Sequence, residues 1–235
     1  MGHDSASPIG AAALDGQQAS NAAAKGVIHS AERATLAHVG QPESAQVQAT
    51  IRDLSLTPHM EGGYFAVTDV SAMTMASPYP AENLSERTIA LAGGLAPDYD
   101  PAVRRLSTTI FYYLTPSRPT GSFHRNRSRI IHTLHRGRGR YVLIHPDGHV
   151  ETFVVGPNID KGEKLQWVVE GGVWKASHLV GQGGKDVEED HEGLLISETV
   201  VPGFEYADHE FLTHEKLAET LPENQAKELA WLVKH

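Results

Sequence analysis

Residues 121–148 read GSFHRNRSRIIHTLHRGRGRYVLIHPDG, and the phase of this stretch decides the fold. In an extended strand alternate side chains face opposite ways. His124, Asn126, Ser128 and Ile130 therefore share one face, and Arg125, Arg127 and Arg129 share the other. Neither face is apolar, so the stretch does not simply line a dry core. A β-barrel with a polar lumen accounts for one polar face. The arginines then point outward, toward solvent, acidic side chains or a second subunit. Continuing the alternation to 134 puts His132 with His124 and Asn126. Gly137-Arg138-Gly139 reads as a turn, 140–145 as the next strand, and Pro146-Asp147-Gly148 as the turn that closes it.

The same punctuation continues on both sides. Residues 64–70, 107–114, 150–155, 164–169, 173–180 and 194–201 are short, rich in β-branched and aromatic residues, and bounded by Gly and Pro. Strands this short and regular predict an all-β sandwich or barrel. Val47, Ile51 and Leu54 recur at helical spacing and predict a short helix at the start of the domain. Pro222 followed by Ala226, Leu229, Ala230 and Val233 predicts a helix at its end. Residues 72–104, with four prolines and two glycines, read as a loop or arm over the core. Residues 1–45 are rich in Ala, Ser, Gln and Gly and read as a flexible or partly helical extension, leaving 46–235 as the domain. The acidic, glycine-rich insert at 181–193 reads as a solvated loop.

Composition bounds the function. The 235 residues carry 20 Lys and Arg against 29 Asp and Glu, a formal net charge of −9, which argues against a nucleic-acid partner. With no cysteine, disulfides, thiolate metal sites and cysteine nucleophiles are excluded. No apolar run is long enough to span a bilayer, and residues 1–16 have neither a basic start nor an apolar signal core. A cytoplasmic protein without a membrane partner is expected.

Histidine is the abundant chemistry-bearing type, with 14 copies. His124 and His132, on one strand face, are candidate general bases. Residues 173–178, VWKASH, put Val173, Lys175 and Ser177 on one face and Trp174, Ala176 and His178 on the other. A lysine turned inward is costly unless paired, and in that position it either anchors a carboxylate or acts as a base. The alternative is a side chain that snorkels out at the strand end.

Four segments in order carry a resemblance. TPHMEGGYF at 57–65, the 121–148 stretch, WVVEGGVWKASHL at 167–179 and VVPGFEYADHEF at 200–211 resemble the cupin superfamily, specifically its fifth family of domains of unknown function, in a fungal-type version. The resemblance implies a double-stranded β-helix, or jelly roll, similar in fold to deoxysugar epimerases and seed storage proteins. It also implies a homodimer and a pocket inside the barrel mouth. Metal-binding cupins place His-x-His and Glu in the first motif and a His in the second. Anchored on Gly137 and Gly172, those positions fall on His124, Asn126, Ile130 and Lys175. An isoleucine cannot bind a metal, and an ammonium repels a cation. The expectation is therefore no cofactor and no metal, with a rearranged set of His124, His132 and Glu61 or Glu198 as the alternative.

The resulting reading is a jelly-roll barrel whose lumen binds a small polar or anionic molecule. Its first form is a metal-independent isomerase, epimerase or lyase acting next to a carbonyl, which needs a base and an oxyanion donor. His124 or His132 is the base, Lys175 or Arg125 the oxyanion donor, and Tyr64 or Tyr112 the proton donor, with Glu61 orienting a histidine. Its second form is a binding module without turnover, in which Asn126 and a stacked Trp174 join the same residues. A purely structural barrel would be filled with apolar side chains.

Overall fold

The computed structural model describes residues 39–180 and 193–234. Most of the expected extension, through residue 38, and the acidic insert through 192 lie outside the described residues.

Helix α1 spans Ala45–Asp53, and the Ser44 hydroxyl caps it by accepting from the Val47 N–H. The strands that follow are β1 (Thr57–Pro58), β2 (Tyr64–Val70) and β3 (Thr74–Ala76). Helix α2 (Glu86–Ala92) separates these from β4 (Val103–Arg105), β5 (Thr108–Leu114), β6 (Thr120–Asn126) and β7 (Arg129–Gly137). Next come β8 (Gly139–Ile144), β9 (Val150–Val155), β10 (Gln166–Val169), β11 (Trp174–Leu179), β12 (Leu194–Val201) and β13 (His209–Phe211). Helices α3 (His214–Thr220) and α4 (Glu223–Leu229) finish the domain.

One sheet has the order β1-β2-β5-β12-β7-β10 and the other β13-β6-β11-β8-β9; β3 and β4 form a separate ribbon. The two large sheets, antiparallel throughout, are the halves of a jelly-roll barrel. The single strand expected at 121–134 is in fact two. Arg127 and Ser128 form a bend, β6 stays in one sheet and β7 crosses to the other. The Arg127 N–H donates to the Asp208 carbonyl at 2.9 Å and holds the crossing in place. The inward phase survives the bend: His124, Asn126, Ser128, Ile130 and His132 are all buried. The arginines of the other phase meet acids, Arg125 pairing with Glu210, Arg127 with Asp208 and Arg129 with Glu170.

Three apolar layers position the lumen. α1 packs Val47 with Leu56, Tyr113 and Leu195 on the outside of the six-stranded sheet. α3, α4 and the following turn cover the outside of the five-stranded sheet, where Leu217, Leu229 and Leu232 meet Phe123, Val142, Trp174 and Ala176. The third layer lies between the sheets, with Tyr112, Tyr141, Leu143, Trp167, Val169 and Ile196 filling one part of the interior. The rest of the interior is polar. The 72–104 segment is an arm, but an ordered one: Ser85 caps α2, and Leu84 N–H donates to the Ala207 carbonyl at 2.7 Å, docking α2 beside β13.

Candidate functional site in the barrel lumen

Two clusters of buried polar side chains border one cavity. The first is centred on Lys175. Strand alternation turns Trp174 and Ala176 toward the terminal helices and Lys175 and Ser177 inward. Lys175 is only 3% exposed. Its Nζ lies 2.6 Å from Glu198 Oε2 on β12 and 3.1 Å from His132 Nε2 on β7. Glu198 and His132 are direct cross-strand partners, so backbone register sets this trio. His132 is also stacked on Trp167, with ring centroids 5.0 Å apart. Burial opposes the Glu198 charge, but the Lys175 ammonium and His132 outweigh it and hold its pKa well below the usual carboxylate range. Burial, with the Lys175 charge adding to it, lowers the His132 pKa, so its ring is neutral at pH 7.

The second cluster is centred on Glu61, in the turn between β1 and β2. That turn needs its glycines: Gly62 has φ +120°, and a Cβ there would lie 1.9 Å from the Thr120 carbonyl oxygen. The Glu61 carbonyl accepts from Ser122 N–H at 2.7 Å, which fastens the turn to β6. The carboxylate is surrounded by imidazoles. His209 Nε2 is 2.9 Å from Oε1, His124 Nε2 is 3.3 Å from Oε2, and His59 Nδ1 is 3.5 Å from Oε2. Burial opposes the Glu61 charge, while His124, His59 and His209 pull its pKa well below the ordinary range. Burial pushes His124 down to about 3, and lowers His59 as well.

Between the clusters lie Tyr112, Tyr141 and Ser177, around a narrow gap that Glu61, His124, Lys175 and Glu198 also line. Gly121 keeps that gap open, since a Cβ there would come within 2.6 Å of the Tyr112 hydroxyl and 2.8 Å of Ser177 Oγ. Burial raises the pKa of both tyrosines well above the phenol value, so both stay protonated. Among the described residues, Tyr112 Oη, His124 Nε2 and Asn126 Oδ1 have no hydrogen-bond partner although they are buried. Buried polar atoms are almost always paired, so the two orphans that line the cavity, Tyr112 Oη and His124 Nε2, make it the candidate ligand site.

The structure thus brings Glu61, Tyr112, His124 and Lys175 to one cavity, with His132 behind Lys175 and Asn126 buried nearby. Three expected site residues do not reach it. Tyr64 has the opposite phase: it packs with α1 and under the Arg118 guanidinium, and Phe65 takes the inward position against His59. Arg125 and Trp174 stack on each other on the outer face, 4.5 Å apart, where Arg125 also pairs with Glu210. The alternation that turns His124 and Lys175 inward requires both to point out. His59 and His209 escaped the sequence reading. Both lie within segments that carry the resemblance, His59 two residues before Glu61 and His209 directly after Asp208. Only the barrel's closure brings them together.

The superfamily's usual metal positions do not fit a metal here. Ile130 is buried in the wall, Asn126 replaces a histidine, and Lys175 places an ion-paired ammonium where a ligand would be.

A double-sheet jelly roll with a closed, polar lumen defines the class, and comparisons define the family. Residues 48–212 match the family described as Cupin superfamily (DUF985), and the chain belongs to it. It is 44% identical over 218 residues to the uncharacterized protein YML079W of Saccharomyces cerevisiae, covering 92% of this chain and 97% of that one. Among solved structures it resembles a hypothetical protein from Leishmania major, with TM-score 0.62 and 25% identity over 80% of this chain and 98% of that one. Protein SO0799 from Shewanella oneidensis is similar in fold, with TM-score 0.58 and 21% identity over 80% of this chain and 96% of that one. Among the described residues no helix is long and apolar enough to cross a membrane.

Proposed function

We propose that the lumen binds a small molecule through a carbonyl or carboxylate oxygen and performs acid–base chemistry at the neighbouring carbon, as an isomerase, epimerase or lyase does. The observation that carries this reading is the buried Lys175 ammonium, 2.6 Å from Glu198 and 3.1 Å from His132, beside a cavity with orphaned polar atoms. An ammonium has three donors. Glu198 and His132 occupy two, which leaves one for a ligand oxygen. A fixed cationic donor of this kind stabilises negative charge that develops on a carbonyl oxygen as the adjacent carbon loses a proton. Tyr112, protonated and unpartnered, is the proton donor on the same cavity. Glu61 and His124 supply the acceptors on the facing wall. A barrel that needed only stability would gain more from apolar side chains, because a buried ion pair rarely repays its desolvation.

The gap is narrow, so side chains move when a ligand enters. The reading is tested by a thermal-shift screen of small carboxylic acids, hydroxy acids and sugar derivatives, followed by titration of each hit against the Lys175→Met variant. A native-state ligand raises Tm. At least one anionic or carbonyl class is expected to stabilise the wild type, with affinity reduced at least 10-fold in Lys175→Met. Unchanged affinity overturns the anchor role. Solvent deuterium entering the carbon next to the ligand carbonyl, followed by NMR, establishes turnover. Binding without exchange favours a module that only binds.

A further inference from the structure

The Glu61 cluster contains an electrostatic mismatch that the small-molecule reading does not use. His124 Nδ1 lies 2.8 Å from the Ser122 carbonyl oxygen. A carbonyl only accepts, so Nδ1 carries the hydrogen and Nε2 presents its lone pair. That lone pair faces Glu61 Oε2 at 3.3 Å. Two acceptors thus oppose each other in a buried site, where charges are poorly screened. An imidazolium would direct an Nε2 hydrogen bond at the carboxylate, yet Nε2 makes no hydrogen bond among the described residues.

His209 faces the same carboxylate as a donor: a carboxylate only accepts, so its Nε2 carries the hydrogen that an ion would displace. Its Nε2 lies 2.9 Å from Glu61 Oε1, and its Nδ1 lies 3.3 Å from the Thr88 hydroxyl, which α2 delivers. Each histidine therefore turns Nε2 to the same carboxylate and rests Nδ1 on an oxygen behind it. Metal-binding histidines use this pattern, because the outer oxygen fixes the tautomer and orients the ring.

We propose that Glu61, His124 and His209 form a binding site for one divalent first-row transition-metal ion. The three offer ligand atoms within 4.8 Å of one another, and all three residues are buried. Ligands about 2.1 Å from an ion lie about 3.0–3.4 Å apart at right-angled to tetrahedral geometry; Glu61 Oε1 lies 2.9 Å from His209 Nε2 and Oε2 lies 3.3 Å from His124 Nε2, so each carboxylate oxygen has one imidazole near ligand spacing. Small rotations of the two rings, stacked with centroids 5.1 Å apart, complete the set. Two imidazoles and a carboxylate suit Zn²⁺, Fe²⁺, Co²⁺ or Ni²⁺ rather than Mg²⁺ or Ca²⁺. Only His124 belongs to the superfamily's usual metal positions; Glu61 comes from the first turn and His209 from the last strand. The site does not depend on Lys175. When it is filled, Glu61 and His124 hold the ion, and a ligand on that wall meets the ion instead of His124.

The test uses untagged full-length protein, stripped with chelator and titrated with Co²⁺ or Zn²⁺ alone. One ion per chain is expected, with the visible absorption of nitrogen- and oxygen-bound Co²⁺. Glu61→Gln and His209→Gln should each weaken Zn²⁺ binding at least 10-fold, and Thr88→Val, which removes an outer partner, about 10-fold. His145→Ala controls for capture outside the lumen, since His145, His149 and Glu151 form a half-buried cluster on the β8–β9 hairpin. Should a buried variant fail to fold, X-ray absorption on the wild-type Co²⁺ form decides alone, with two imidazoles and one carboxylate expected. No stoichiometric uptake overturns the site, as does equal binding by folded Glu61→Gln and His209→Gln or loss of binding in His145→Ala alone. None of these readouts involves the small molecule or Lys175, so the two proposals stand or fall separately.

Discussion

The buried ionic cluster behind the arm and the two in the lumen look alike on paper and differ in one respect. Asp208, behind the arm, receives Arg104 at 2.6 and 3.1 Å and Arg127 at 3.1 Å. Arg104 also donates to the carbonyls of Val103 and Pro101. Arg127 reaches those of Pro80 and Glu82. Most partners lie on the arm, so this cluster fastens the arm to the barrel, and its charges are matched by several donors and acceptors. The lumen clusters also pair their charges, yet the cavity they border keeps orphaned atoms at Tyr112 and His124. Completed networks rigidify a fold, whereas incomplete ones wait for a ligand. Satisfaction of polar groups, rather than their burial, separates architecture from site.

The largest expected effect breaks the architectural cluster. Asp208→Ala leaves two guanidiniums facing each other without their carboxylate, Arg104 of them fully buried. A loss near the top of the about 3–5 kcal/mol range for a broken buried pair is expected in chemical denaturation. Close behind it, Lys175→Met strands Glu198 and should cost about 3 kcal/mol by the same argument. Adding Glu198→Leu removes the stranded charge and should recover most of that stability while small-molecule affinity stays lost. That split between stability and binding is what distinguishes the lumen from the arm. A double variant that remains as unstable as Lys175→Met would place the lumen trio with the architectural cluster.

A third test concerns the outer face of β11. Burial lowers the His178 pKa to about 4, against a bond from the ring to the Leu179 carbonyl, with Arg140 adding to the depression. The unfolded chain, with an ordinary pKa near 6.5, then binds the extra proton between the two values. Its contribution is complete above about pH 6.5 and is lost as pH falls toward 4, by about 3 kcal/mol in all. The pH slope of unfolding free energy should flatten in His178→Gln. An unchanged slope would assign the acid sensitivity to other groups. The smallest effect belongs to the exposed Arg129–Glu170 pair, where Arg129→Ala should change stability by about 0.5 kcal/mol or less.

Much of this was legible in the sequence because strand alternation is a local rule. It set the inward phase of His124, His132 and Lys175 correctly, and it turned Arg127 and Arg129 to the other face, toward solvent, acids or a second subunit; the structure pairs both with acids. The same rule excluded Arg125 and Trp174 from the lumen, and residue-type arguments for oxyanion binding and stacking overrode it wrongly. Tyr64 failed similarly, since Phe65 holds the inward phase. His59 and His209 were not legible. They lie 150 positions apart and meet only because β13 pairs with β6 while the Glu61 turn is tied to the same strand. Periodicity reads along a strand and says nothing about which strands close a barrel. The helix in the arm escaped for a related reason: α2 is short, and docking beside β13 supplies stability that its own residues lack.

The central claim is that a small molecule meets Lys175 inside the barrel. The most direct measurement is an NMR titration of ¹³C- and ¹⁵N-labelled protein with a thermal-shift hit, following the lysine side-chain and tyrosine ring resonances. The account predicts saturable shifts at Lys175, Tyr112 and Ser177, with the exposed lysines unmoved. Shifts confined to the outer surface, or saturable binding that leaves Lys175 unperturbed, would contradict it.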